Sequence, residues 1–220
     1  MDKKDKYTFT KFNGNNFWYK NDKLHRDNKP AVINSCGTKV WYQNGERHRE
    51  NGPAFISPGG TKEWYKNGKL HRDNKPAHIN RNGTKEWWKD DKLHREDGPA
   101  IIFPNTSTFW YQNGKKHREN GPAVIRSNGY KAWYQNGKLH RGDGPSIIRS
   151  DGTLEFYFEG REVTEEWINR YQNLIKKHTF LGVPVRDKWG VREIILSWYY
   201  NPRLKCVKNR IEKECKELYN

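Results

Sequence analysis

Apolar and polar positions along this chain follow a fixed count. Trp recurs at 18, 41, 64, 87, 110 and 133, each step 23 residues without insertion, and Phe156 continues the series. The rest of the unit repeats in phase. A Tyr or Trp follows each Trp. His-Arg stands seven and eight residues on, as in His71-Arg72, then a Pro such as Pro76, an Ala such as Ala77 and an Ile such as Ile79. A repeat of this size means stacked supersecondary units. Asn-Gly at 44–45, 67–68, 113–114 and 136–137 sits between aromatic and aliphatic runs, a strong hairpin signal because both residues tolerate positive φ. Asn21-Asp22 and Asp90-Asp91 are weaker versions. A second turn follows the Ile, at Gly37, Gly60, Gly83, Gly129 and Gly152, and Asn105-Thr106 breaks that rule as a looser loop.

These signals predict two strands per unit. One runs through segments such as Thr61 to Lys66. The other runs from about Lys69 to Ile79, with a bend at Asp73 to Pro76 because Pro cannot donate to a ladder. Gly precedes the Pro in four units and Lys29 or Lys75 in two, so that position does not demand a left-handed backbone. No 3.6-residue period survives before residue 160, which excludes helices there. The fold class expected is mainly β with a C-terminal helical part: an elongated single-layer antiparallel sheet of stacked hairpins. A β-solenoid is the alternative, and the Asn-Gly turns favour the hairpins. The organisation reads as a lead strand over 1–17, six repeats and a partial seventh over 18–163, and a helical cap or docking module over 164–220.

Within that last part Thr164 caps a helix whose apolar face is Trp167, Tyr171, Leu174, Ile175 and His178. Further helices are expected over Asp187 to Tyr200 and from Pro202 on, forming a small bundle or covering the end of the sheet, the latter favoured because an open edge strand needs protection.

Composition sharpens this picture. Hydrophobic residues are 33% and mean hydropathy is −1.21, yet there are ten Trp, twelve Tyr and nine Phe. Disordered chains lack aromatics. This chain therefore folds around large rings rather than a thick aliphatic core. Forty-two Lys and Arg against 26 Asp and Glu leave a formal charge of +16, which favours acidic partners. Three Cys make no disulfide framework, the first eleven residues are polar and charged, and no apolar run would span a bilayer. A soluble, intracellular protein is the expectation.

Candidate chemistry is repeated, and that argues against catalysis. Catalytic groups converge uniquely on a pocket, whereas here identical groups recur along a ribbon. Six histidines, His25, His48, His71, His94, His117 and His140, are too far apart in a hairpin array, at about 10 Å, to share a metal. They read as a structural ladder with Arg and acids that fixes each bend, together with Trp18, Trp41, Trp64, Trp87, Trp110 and Trp133. No cofactor, metal or small-molecule substrate is expected. The partner-binding candidates are two basic rows: Lys23, Lys69, Lys92, Lys115 and Lys138, and Arg26, Arg49, Arg72, Arg95, Arg118 and Arg141. Interleaved aromatics would suit single-stranded nucleic acid.

Units such as Gly83-Thr-Lys-Glu-Trp-Trp-Lys-Asp-Asp-Lys-Leu-His-Arg-Glu-Asp-Gly-Pro resemble the MORN repeat, with its aromatic before a turn and its Gly-Lys-x-His-Gly element. Arg stands where that family has Gly after His. The Trp-Tyr-x-Asn-Gly-Lys-Leu-His-Arg form looks closer to divergent repeats of large DNA viruses of amoebae. The resemblance covers about residues 18–160 and implies a non-enzymatic scaffold that binds proteins or self-assembles, in a virion or host cytoplasm. The basic rows leave nucleic acid or an anionic lipid surface as the second reading.

Overall fold

The computed structural model describes residues 5–179. They belong to two compact units: Met1–Lys138 with Ile148–Gly152, and Leu139–Ile147 with the chain from Thr153 on.

In the first unit each full repeat after the first makes four strands of two residues, such as Lys62–Glu63, Tyr65–Lys66, Lys69–Leu70 and His78–Ile79. Two ladders result. Tyr65–Lys66 and Lys69–Leu70 close a small hairpin over Asn67-Gly68, whose φ values of 51° and 74° are those the dipeptide supplies. Lys62–Glu63 pairs antiparallel with His78–Ile79, which pairs with Lys85–Glu86 of the next repeat, and so on through Lys131–Ala132. The result is a long antiparallel sheet of consecutive hairpins. Parallel stacking, as a solenoid requires, is absent from the described pairings.

The expected long second strand does not exist. Residues 71–77 leave the ladder between Leu70 and His78. Proline withholds a donor there, and the bend takes three forms. In Asp-Asn-Lys-Pro units the left-handed residue is Asn, Asn28 at φ 57° and Asn74 at φ 56°. In Glu-Asn-Gly-Pro units it is Gly, at 146° for Gly52 and 130° for Gly121. The Asp-Gly-Pro units at 97–99 and 143–145 need neither, and their Asp accepts from the preceding Arg Nε at 2.8 and 2.7 Å. So the Lys substitutions move the positive φ one residue back rather than abolish it. Nor is Asn105-Thr106 looser than its counterparts. Thr106 adopts φ 67° and its N–H donates to the Phe103 carbonyl at 3.1 Å, as Gly83 does to Asn80 at 2.9 Å.

Each Trp joins the two ladders. The Trp64 N–H donates to the Ala77 carbonyl at 2.8 Å, and its own carbonyl accepts from His71 N–H at 3.0 Å. The residue opposite this junction has almost no room. Ala31, Ala54, Ala77, Ala100 and Ala123 are all 0% exposed. The core is therefore not chiefly aromatic. It is this column of methyl groups with Val32, Val40, Ile101, Val124 and Ala132, and the Trp rings are half-buried except Trp41.

The cross-strand registers resolve the main ladder into two rows, because paired residues share a face. One row reads Val32, Val40, Phe55, Glu63, His78, Glu86, Ile101, Phe109, Val124, Ala132. The other alternates Ile33, Lys39, Ile56, Lys62, Ile79, Lys85, Ile102, Thr108, Ile125, Lys131. At its beginning the sheet ends in a hairpin of two six-residue strands, Tyr7–Phe12 and Asn15–Lys20.

The second unit holds the hairpin Tyr157–Phe158 with Arg161–Glu162, and the helix Glu165–Thr179. Thr164 Oγ1 accepts from Trp167 N–H at 3.1 Å, a side-chain cap, and Glu165 and Glu166 complement the dipole of the first turn. Phe158 stands where earlier repeats carry Lys or Gln, and it is buried. Its ring centroid lies 5.0 Å from Trp167 and 4.8 Å from Tyr171, while Gln172 Nε2 donates to the Gly142 carbonyl. Ile168, absent from the expected face, is 2% exposed. The side chains of Leu174, Ile175 and His178, and the helices expected after Asp187, lie outside the described residues.

Candidate interaction surface

Each arginine of the His-Arg element folds back over the Trp that opens its repeat. The guanidinium carbon sits 3.9–4.1 Å from the ring centroid for Arg26 on Trp18, Arg49 on Trp41, Arg72 on Trp64, Arg95 on Trp87 and Arg118 on Trp110. Nη1 then donates to the carbonyl of the Pro four residues on, at 3.1–3.4 Å, and Arg141 does the same to Pro145. Planarity explains the choice of Arg: it stacks and donates at once, which an ammonium cannot do. Burial pushes the guanidinium groups of Arg49, Arg72 and Arg118 below their ordinary value. One consequence bears on function. Five indoles already have a cation on one face, which takes that face from any nucleobase.

The histidines look forward along the chain. Nδ1 of His25, His48, His71, His94 and His117 accepts the backbone N–H of Asn44, Asn67, Asp90, Asn113 and Asn136 at 3.0–3.3 Å. In the second unit His140 accepts from Glu159 N–H at 3.2 Å. Each imidazole thus holds the hairpin turn of the following repeat, in addition to any contact with its own bend. Nε2 faces an acid two residues on in three cases, Asp27, Asp73 and Glu96. Among the described residues no cluster of His, Cys, Asp and Glu has a geometry that would hold a metal.

The lysines Lys23, Lys69, Lys92, Lys115 and Lys138 are exposed beside the Asn-Gly turns. Where a Gly occupies the following turn, the lysine stem lies against it, Lys23 against Gly45 and Lys92 against Gly114. The row is broken at Glu46.

A third cationic row went unnoticed in the sequence. Lys39, Lys62, Lys85 and Lys131 project between half-buried Ile33, Ile56, Ile79, Ile102 and Ile125 along the outer face of the main ladder. The signal was a Lys two residues before Trp in four of the repeats. Between the first two repeats this face dips into an open groove of about 540 Å³, lined by Arg26, Arg49, Lys39, Ile33, Ile56 and Trp41 among others. No acid lines it.

The opposite face carries one non-repeated constellation. Glu63, His78 and Glu86 interrupt its apolar row. Tyr65 Oη donates to Glu63 Oε2 at 3.0 Å while Arg47 Nη1 donates to Tyr65 Oη at 3.1 Å. Glu86 Oε2 accepts Trp88 Nε1–H at 2.8 Å and lies 3.2 Å from His78 Nδ1. Burial, and then the Glu63 charge, push the Tyr65 phenol above its ordinary value.

Compared with known proteins, the chain matches no family model and no curated protein. Among the described residues, no helix is long and apolar enough to cross a membrane.

Proposed function

We propose that this protein is a non-enzymatic scaffold, a MORN-like repeat array that offers its outer face to an acidic protein surface. One observation carries the reading: the alternation of Ile and Lys along that face, flanked by the stacked Arg row. Half-buried isoleucines spaced between lysines suit a partner with both apolar and acidic side chains. A phosphate backbone would use the charges and leave the isoleucines idle. The repeated histidines hold the turns of following repeats and five indoles stack on arginine, which leaves little for chemistry. The likeness to repeats of large DNA viruses extends the proposal to a viral structural or factory-associated protein.

Nucleic acid or anionic lipid binding is the second reading, favoured by the charge of +16. Two measurements divide them. The full chain, used as bait, is expected to retain a protein whose stoichiometric binding is lost when Lys39, Lys62, Lys85 and Lys131 are changed to Glu. The same chain is titrated with DNA, RNA and anionic vesicles over a range of salt. Tight nucleic-acid binding with a steep log–log salt slope, and no protein partner, overturns the scaffold in favour of a polyanion binder.

A further inference from the structure

The strand Tyr7–Phe12 is the first strand of the main sheet, and among the described residues only Asn15–Lys20 pairs with it. Its other side presents unpaired backbone groups over six residues, three times the length of the two-residue strands that follow. Natural edges are usually short, charged or interrupted by Pro, because an open edge templates pairing with another chain. This one has no Pro and one charge, Lys11. It also exposes its rings: Tyr7 is 57% exposed, Phe9 55% and Phe12 64%, three of the four large apolar side chains most open to solvent among the described residues.

The order of residues selects the occupant. In an antiparallel pair, residues opposite each other share a face. A strand pairing with its own copy must therefore be centred on a residue. Centred on Phe9, the register sets Phe9 against Phe9, Thr8 against Thr10 and Tyr7 against Lys11. These are an aromatic pair, a hydroxyl pair and a cation over a ring, all stabilising cross-strand combinations. The last already occurs within one chain, where Lys20 Nζ lies 5.5 Å from the Tyr7 ring centroid. Centring on Thr10 instead keeps a hydroxyl pair, Thr10 against Thr10, but sets Phe9 against Lys11 and Thr8 against Phe12 and loses the aromatic pair. Phe9 also rests on Trp18, with ring centroids 5.0 Å apart, so its position is set before any partner arrives.

We infer that two copies of this chain join through Tyr7–Phe12, antiparallel about Phe9, so that one continuous sheet runs through a two-fold axis. The pairing is closed, since it consumes both edges and adds no further copy. It uses a surface separate from the Ile–Lys face, so either proposal can fail alone.

The test uses the full chain with Cys36, Cys206 and Cys215 changed to Ser. Thr8→Cys combined with Thr10→Cys keeps Phe9 and places thiols opposite each other across the axis, with Cα atoms about 4.5–5.5 Å apart, within disulfide reach. In Thr8→Cys alone the two thiols belong to positions about 8 Å apart, outside it. Mild oxidation is expected to give covalent dimers with the double variant and not with the single one. Sedimentation is expected to show a concentration-dependent dimer that tightens as salt rises, since like charges on the two copies oppose it. Phe9→Lys is expected to weaken it at least about tenfold with an unchanged far-UV spectrum. A chain that stays monomeric at every concentration, mass growing beyond the dimer, or equal cross-linking by the single variant overturns the proposal. The lysine-to-glutamate variant reports on the outer face and, compared at high salt where charge repulsion is screened, leaves this dimer unchanged.

Discussion

Replacing Trp64 by Ala tests the central packing argument at one internal repeat. The main-chain bonds that Trp64 makes to Ala77 and His71 survive, since Ala keeps the same N–H and carbonyl. What is lost is the indole. Full removal of a buried Trp costs about 3–5 kcal/mol, and the half-buried ring of Trp64 places it below that range, at about 2–3 kcal/mol. The Arg72 guanidinium, 4.0 Å from the ring centroid, loses about 0.5–1 kcal/mol of stacking on top. Arg72 pairs with no carboxylate among the described residues but also donates to the Pro76 carbonyl, so the stack is read from the coupling in the double variant rather than from Arg72→Met alone. The assay is urea unfolding of the full chain by far-UV circular dichroism, for Trp64→Ala, Arg72→Met and the double variant. A loss of about 3 kcal/mol with an unchanged m-value, and a coupling of about 0.5–1 kcal/mol, are expected. A loss under about 1 kcal/mol would mean that the alanine column alone holds the repeats, and the account of the junction would be wrong.

Three further outcomes follow from the same geometry. Ala77→Leu forces extra methylenes into a site with no exposure and is expected to cost about 1–3 kcal/mol in the same unfolding assay. Thr106→Gly relieves a β-branched residue held at φ 67° and is expected to stabilise by about 0.5–1 kcal/mol, read as a higher urea midpoint. Burial pushes the His140 imidazole below its ordinary value, partly opposed by Glu159, so the unfolded chain takes up the proton more readily than the folded one. Its contribution is therefore complete at neutral pH and is lost as pH falls through the ordinary imidazole range. The drop in urea midpoint between about pH 7.5 and about pH 5.5 is expected to shrink in His140→Gln, and an equal drop would refute the assignment.

The turn chemistry was the readable part of the sequence. Asn67-Gly68 and Gly83 demand positive φ, so the hairpins and their antiparallel succession follow from them. Thr106 misled because a single position was judged by propensity, while its turn is dictated by the strands on either side. The broken second strand was hidden for a related reason. Lys69 to Ile79 alternates well enough, but a two-residue ladder needs no more than Lys69–Leu70, and Pro76 frees the rest. At Ala77 a methyl group marks an apolar position in the sequence but carries no signal of its packing, and only the structure reveals that the site has no exposure. The outer face suffered from the opposite problem. Lys39, Lys62 and Lys85 are ordinary surface residues singly, and become a row only once cross-strand register aligns them with Ile33, Ile56 and Ile79.

The forward reach of each histidine has an evolutionary corollary. Consecutive modules are joined by a recurring set of bonds: an imidazole to a turn amide, at most boundaries an arginine amide to an aromatic carbonyl, and a turn glycine or aspartate amide to the carbonyl behind it. A cassette copied in tandem by unequal crossing-over would find both of its borders already matched. Such a gene can change length by whole modules without passing through a misfolded intermediate, and the protein it encodes behaves as a ruler whose graduations are added or removed one at a time.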